Sequence, residues 1–194
     1  VEGAEASSDL FFNASVVLPF TLFLDKKYRK DWLDLSLIYL EAHALNANFY
    51  AWSPVGPALI DRLRPVAYYE EVDAGFRGLG NTRNSFFSGH VSTTAIGTFF
   101  TAKVLSDYNP QWSGGKRALV FAAASLPPAF VAVQRVRSLK HFPTDTAVGL
   151  AVGAFFGVMT PHFHKTWQRK HRSRLSVSGS YHDGVGGGGV VLIF

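Results

Sequence analysis

One run carries more ionisable chemistry than its surroundings require: Gln134-Arg135-Val136-Arg137-Ser138-Leu139-Lys140-His141-Phe142-Pro143-Thr144-Asp145. It lies between two strongly apolar runs, where a plain connecting loop has no need of three cations, a histidine and an aspartate. Pro143 suits the first position of a helix, because its missing N–H would be unbonded there anyway. Asp145 then falls in the first turn, with His141 just ahead of it, on the side where free N–H groups and the positive dipole end attract anions. Asp145, four residues beyond His141, can reach back to one imidazole nitrogen and leave the other facing whatever the arginines hold. Arginine, histidine and carboxylate in this order read as a phosphate-handling site. A polar loop with a capped helix is the plainer alternative for this run taken alone.

Two other stretches offer matching chemistry. In Asn84-Ser85-Phe86-Phe87-Ser88-Gly89-His90, the last three residues crown another helix N-terminus. The serine hydroxyl adds a donor there, and the glycine lets the backbone approach an anion closely. Asp61-Arg62-Leu63-Arg64-Pro65 supplies cations, although by itself it reads as a solvated turn.

These stretches must be held by apolar elements, of which five can be marked: 10–24, 32–50, 90–108, 118–133 and 143–160. Each is at the lower edge of a membrane span and the upper range of a buried helix. Gly149, Gly153 and Gly157 recur every fourth residue, so one face of the last segment is smooth enough for close packing. In the second segment Asp34, Glu41, His43 and Asn46 would have to face the bundle interior or the interface. Basic clusters lie at 26–30, 116–117 and 165–174. If the five segments span alternately, all three clusters share one side, as the positive-inside rule requires, and Arg64, His90 and His141 share the other.

Composition agrees. Of 194 residues, 47% are apolar and 17% charged against a usual quarter, and the mean hydropathy is +0.10. The chain has no cysteine, which excludes disulfides, thiolate metal sites and cysteine nucleophiles. The net charge of +5 collects beside apolar segments, which fits membrane flanks and an anionic substrate, not nucleic acid. The chain opens at Val1 without a methionine, which fits removal of a signal peptide or an earlier span. The expected layout is an N-terminal tail over residues 1–9, a helical bundle over 10–165, and a basic, Gly-rich tail over 166–194. Within that tail, 175–181 and 190–194 read as a small β-hairpin joined through Gly186 to Gly189.

Taken together the three stretches resemble the signature of the type-2 phosphatidic acid phosphatase and vanadium haloperoxidase superfamily. That signature runs Lys-x6-Arg-Pro, then Pro-Ser-Gly-His, then Ser-Arg-x5-His-x3-Asp. Arg64-Pro65 matches the end of the first part, and Ser88-Gly89-His90 most of the second, with Phe87 where proline is usual. Arg135, His141 and Asp145 match the third at full spacing, with Gln134 in place of serine. The resemblance covers about Trp32 to Pro161. The family lysine falls at Pro57, and Lys140, Arg62, Arg83 or Arg137 are the cations that would replace its charge.

The resemblance implies an all-α, membrane-embedded bundle of about five to six helices, each near the length of a span. It further implies a phosphatase acting on a phosphate monoester or pyrophosphate of a membrane lipid. His141 would be the nucleophile that forms a phosphohistidine, and Asp145 would hold its other nitrogen. His90 would protonate the leaving oxygen and then activate water. Arg64, Ser88, Gly89 and Arg135 would bind the non-bridging oxygens. No metal and no cofactor are expected. The expected partners are a phosphorylated lipid and the membrane, in the cell inner membrane with the site on the periplasmic or extracytoplasmic side; the oligomeric state is left open. The alternatives are a soluble periplasmic acid phosphatase or a vanadate haloperoxidase on the same scaffold, or a membrane scaffold protein whose site has decayed at Pro57.

Overall fold

A computed structural model describes residues 2–54, 56–57, 59–72, 74–77, 80–171, 175–182 and 185–192. The helices are α1 (Glu2–Val17), α2 (Lys26–Arg29), α3 (Trp32–Trp52), α4 (Ala74–Arg77), α5 (Gly89–Tyr108), α6 (Gly114–Arg137) and α7 (Pro143–His171). A 3₁₀ stretch, Leu18–Leu24, continues α1. The chain divides into two compact units, Val1–Pro161 and His162–Phe194.

The first unit is organised around α5, which packs against α1, α3 and α6. Its residues are mostly buried although many are polar. The hydroxyls of Ser92, Thr94, Thr98 and Thr101 bond back to carbonyls of their own helix, which satisfies them without water. The core joins Leu22, Tyr28, Leu35, Tyr39, Ala42, Ile96, Phe100 and Val104. The glycines of α7 behave as their spacing suggests. A Cβ on Gly149, Gly153 or Gly157 would sit 2.6 Å from the Ser88 carbonyl oxygen, 2.1 Å from that of Ser92 and 3.0 Å from that of Ile96. α7 thus lies on α5 backbone to backbone. Gly153→Val should cost roughly 1–3 kcal/mol or more of overpacking, read as a lower thermal inactivation midpoint in detergent.

Among the described residues three helices are long and apolar enough to cross a membrane: Gly3–Leu24, Gly114–Arg137 and Pro143–Trp167. Five apolar segments were marked as candidate helices, and helices stand at all five. α3 and α5 match the other two segments in place but fall short in apolarity: α5 is sheltered by its neighbours, and α3 carries Asp34 and Glu41. Asn46 does turn inward, onto the Ser92 hydroxyl at 3.2 Å, whereas Glu41 is exposed near the middle of α3. Outward stripes of Leu33, Leu37 and Leu40 on α3, and Leu119, Leu126 and Val133 on α6, are the apolar surfaces a bilayer covers.

Two of the expected boundaries shift. Residues 1–9 were expected as a tail, but α1 begins at Glu2. Ala4, Glu5 and Ala6 are good helix formers, acidic residues suit a first turn, and Ser7 and Ser8 bond the carbonyls three residues back. At the other end α7 runs past the expected boundary at 165/166 to His171, because no proline or glycine after Pro161 breaks it; residues 172–174 lie outside the described residues.

In the second unit Leu175–His182 and Val185–Leu192 pair antiparallel, from Leu175↔Leu192 to His182↔Val185. The hairpin was expected, but the glycines at 186–189 lie within its second strand instead of leading into it. Positions 193–194 of the expected strand lie outside the described residues.

Candidate active site

The first unit gathers the signature stretches at one end, opposite the basic clusters at 26–30 and 116–117. At that opposite end Lys27 bonds Asn109, and Arg117 bonds Ser106 and the carbonyls of Asn109 and Pro110. The site end is knitted by backbone hydrogen bonds. Arg64 N–H donates to the Thr82 carbonyl, Ser85 N–H to Arg62, Val66 N–H to Leu139, and Ser88 N–H to Asp145. Leu139 turns the chain out of α6 with φ 57, the left-handed conformation common just past a helix end.

Asp145 sits in the first turn of α7, fully buried, and is saturated with donors. Phe142 N–H donates to it at 2.8 Å, half of a capping box, and the Ser85 hydroxyl to the same oxygen at 2.5 Å. Arg62 donates to the other oxygen at 2.6 Å while its guanidinium stacks on the Phe142 ring at 4.1 Å.

His141, in the loop between α6 and α7, is buried. Its Nδ1 lies 2.6 Å from the Ser85 carbonyl oxygen and 3.8 Å from Asp145 Oδ2. A carbonyl only accepts, so Nδ1 carries the proton and the Nε2 lone pair is left for chemistry. This corrects the reading in which Asp145 holds that nitrogen. The Ser85 carbonyl holds it, and at 3.8 Å the carboxylate acts on the ring by charge, not by a hydrogen bond.

Burial holds the His141 ring below the usual imidazole value of 6.5; Asp145 and the Ser85 carbonyl draw it up, and Arg64 and Arg135 push it down. The sign follows. A lowered value keeps the ring neutral, and so nucleophilic, to lower pH. The acid limb of kcat/KM governed by His141 should therefore lie below 6.5, which a pH–rate profile of the free enzyme checks.

Arg135 and Ser88 are buried, and neither Arg135 Nε nor Ser88 Oγ has a hydrogen-bond partner among the described residues. Buried donors are rarely left so. Gly89 opens α5 with clear space where a side chain would stand. Half-buried Arg64 donates from Nε to the Asn84 carbonyl; burial lowers its guanidinium from its usual range, while Tyr50 and Glu5 draw it back. His90 Nε2 lies 3.3 Å from Asp9 Oδ1, which is also 3.5 Å from Arg135 Nη1.

The residues expected to be catalytic or phosphate-binding, His141, His90, Asp145, Arg64, Ser88, Gly89 and Arg135, thus lie at this end. Four others were missed or misread. Arg62, a candidate to replace the missing lysine, is committed to Asp145. Lys140, another, is paired with Glu5 at 3.0 Å. Ser85 acts through its carbonyl, for which a sequence has no sign, and Asp9 lay in the expected tail.

A helical bundle with apolar outer stripes and buried arginine, histidine and serine side chains at one end has the make-up of a membrane protein. A family profile described as the PAP2 superfamily matches residues 36–169, and the chain belongs to that superfamily. It shares its fold with the crystal structure of a transmembrane PAP2-type phosphatidylglycerolphosphate phosphatase from Bacillus subtilis. The two are 22% identical with a TM-score of 0.56, over 87% of this chain and 78% of that one. No curated protein matches the chain by sequence.

Proposed function

We propose that the chain is a phosphatase that removes phosphate from the head group of a membrane lipid. What supports this reading is two buried donors without a partner among the described residues, Ser88 Oγ and Arg135 Nε, at the same end of the bundle as a histidine whose Nδ1 is held by the Ser85 carbonyl. His141 Nε2 attacks phosphorus, an N–P bond forms, and the P–O bond to the lipid breaks. His90 supplies the proton that the leaving oxygen takes. Water then attacks the phosphohistidine, its proton passes to His90, and the N–P bond breaks to release phosphate. Arg64, Arg135, Ser88 and the Gly89 N–H balance the charge on the non-bridging oxygens throughout. The arginines and the helix start carry that charge, so the mechanism uses no metal and no cofactor.

The apolar stripes on α3 and α6 favour this membrane reading over a soluble acid phosphatase or a haloperoxidase. In a cell the basic end would face the cytoplasm of the inner membrane and the site the extracytoplasmic side. Glu70→Cys, in an exposed loop at the site end, and Ser113→Cys, at the exposed start of α6, test both points. In intact cells an impermeant thiol reagent should label the first and spare the second, and the purified parent should release phosphate from phosphatidic acid in detergent. Labelling of Ser113→Cys alone would invert the orientation. Absence of turnover would favour the decayed scaffold that Pro57 suggests.

A further inference from the structure

Outside the signature stretches, α1 brings two more carboxylates to the site. Asp9 Oδ1 lies between His90 Nε2 at 3.3 Å and Arg135 Nη1 at 3.5 Å. Glu5, one turn earlier on the same face, engages Lys140 at 3.0 Å. Phe12 places its ring 4.7 Å from that of His90, so apolar packing holds α1 here as well as charge.

The position of Asp9 matters because the site has two ends. In the mechanism proposed above, Arg135 and Ser88 bind the phosphoryl group that is transferred, and His90 protonates the oxygen that leaves. On that reading Asp9, 3.3 Å from His90 and 3.5 Å from Arg135, stands where the leaving group meets the transferred phosphoryl group. An alcohol leaving there brings no charge and can offer a hydroxyl to the carboxylate. In a diphosphate, attack on the terminal phosphorus expels a phosphate ester, whose negative charge would come up against Asp9. Two cations that would offset that charge are already engaged, Arg62 by Asp145 and Lys140 by Glu5, and Pro57 stands where the signature has lysine.

We propose that Asp9 is a specificity-determining residue that favours lipid phosphate monoesters and rejects lipid diphosphates, with Glu5 reinforcing it by engaging Lys140. This rests on the reading that His90 meets the leaving oxygen. It deepens the phosphatase assignment by choosing between two substrate classes that the signature leaves open.

Farnesyl monophosphate and farnesyl diphosphate share one tail and differ only in the group that Asp9 would face. Their kcat/KM values in detergent micelles should favour the monophosphate for the parent chain. Asp9→Asn should raise the diphosphate-to-monophosphate ratio about tenfold, since juxtaposed like charges are strongly disfavoured; Glu5→Gln should raise it less. High salt should narrow the parent's preference, because the Asp9 side chain is 47% exposed and open to screening. An unchanged ratio in Asp9→Asn, or a parent that prefers the diphosphate, overturns the proposal. Equal loss on both substrates would instead make Asp9 a positioning partner of His90, and overturns it too. A parent that hydrolyses neither defeats the phosphatase reading, and this proposal with it.

Discussion

His141→Ala is expected to lower turnover by roughly four orders of magnitude or more, the scale seen when the nucleophile of a concerted catalytic unit is removed. The ring is 3% exposed and anchored through Nδ1 to the Ser85 carbonyl, so Nε2 has a fixed place and a free lone pair. Alanine leaves Arg135 and Ser88, the proposed phosphate donors, in position, so phosphate binding should outlast turnover. The check is paired: activity on phosphatidic acid, and protection of the variant against heat by inorganic phosphate. Loss of both would mean that the variant has lost its fold around the unpaired Ser85 carbonyl. Retained activity would remove His141 from the mechanism.

His90→Ala should separate the two chemical steps. Proton donation to an alkoxide is worth roughly 10²–10⁴-fold, whereas nitrophenolate departs without a proton. The first turnover of a lipid phosphate should slow by that factor, and that of nitrophenyl phosphate far less. The second step still lacks its base whichever substrate formed the phosphoenzyme. The variant should therefore give a burst of nitrophenolate followed by slow hydrolysis, with phosphohistidine accumulating, and no burst with the lipid. Equal slowing of the first turnover on both substrates would take the acid role from His90.

Much of this was legible because the chemistry depends on spacing along the chain. Arg135, His141 and Asp145 straddle one helix start, and that start exists where Pro143 places it. The four-residue glycine interval became backbone contact at Ser88, Ser92 and Ile96 for the same reason. What sequence did not carry was tertiary or without side-chain identity. The group that fixes the His141 tautomer is a carbonyl, which every residue has. Arg62 looked like a spare phosphate cation until its partner, 83 residues away, was seen to be Asp145. Asp9 and Glu5 sit before the first apolar run, where polar residues read as a tail, yet they face the site because α1 starts at Glu2. Helices stand at all five apolar segments, and the largely buried α5 shows that such a segment can carry many polar residues where neighbouring helices cover it.

The central claim is that phosphate passes through one nitrogen of one residue. Rapid acid-free quenching of the His90→Ala variant during turnover of nitrophenyl phosphate, followed by peptide mass spectrometry and ³¹P NMR, tests it. The account predicts phosphate on the peptide that contains His141, attached at Nε2, because Nδ1 is held by the Ser85 carbonyl at 2.6 Å. Phosphate on Nδ1, on His90 in the parent chain, or on no residue while turnover proceeds would contradict it.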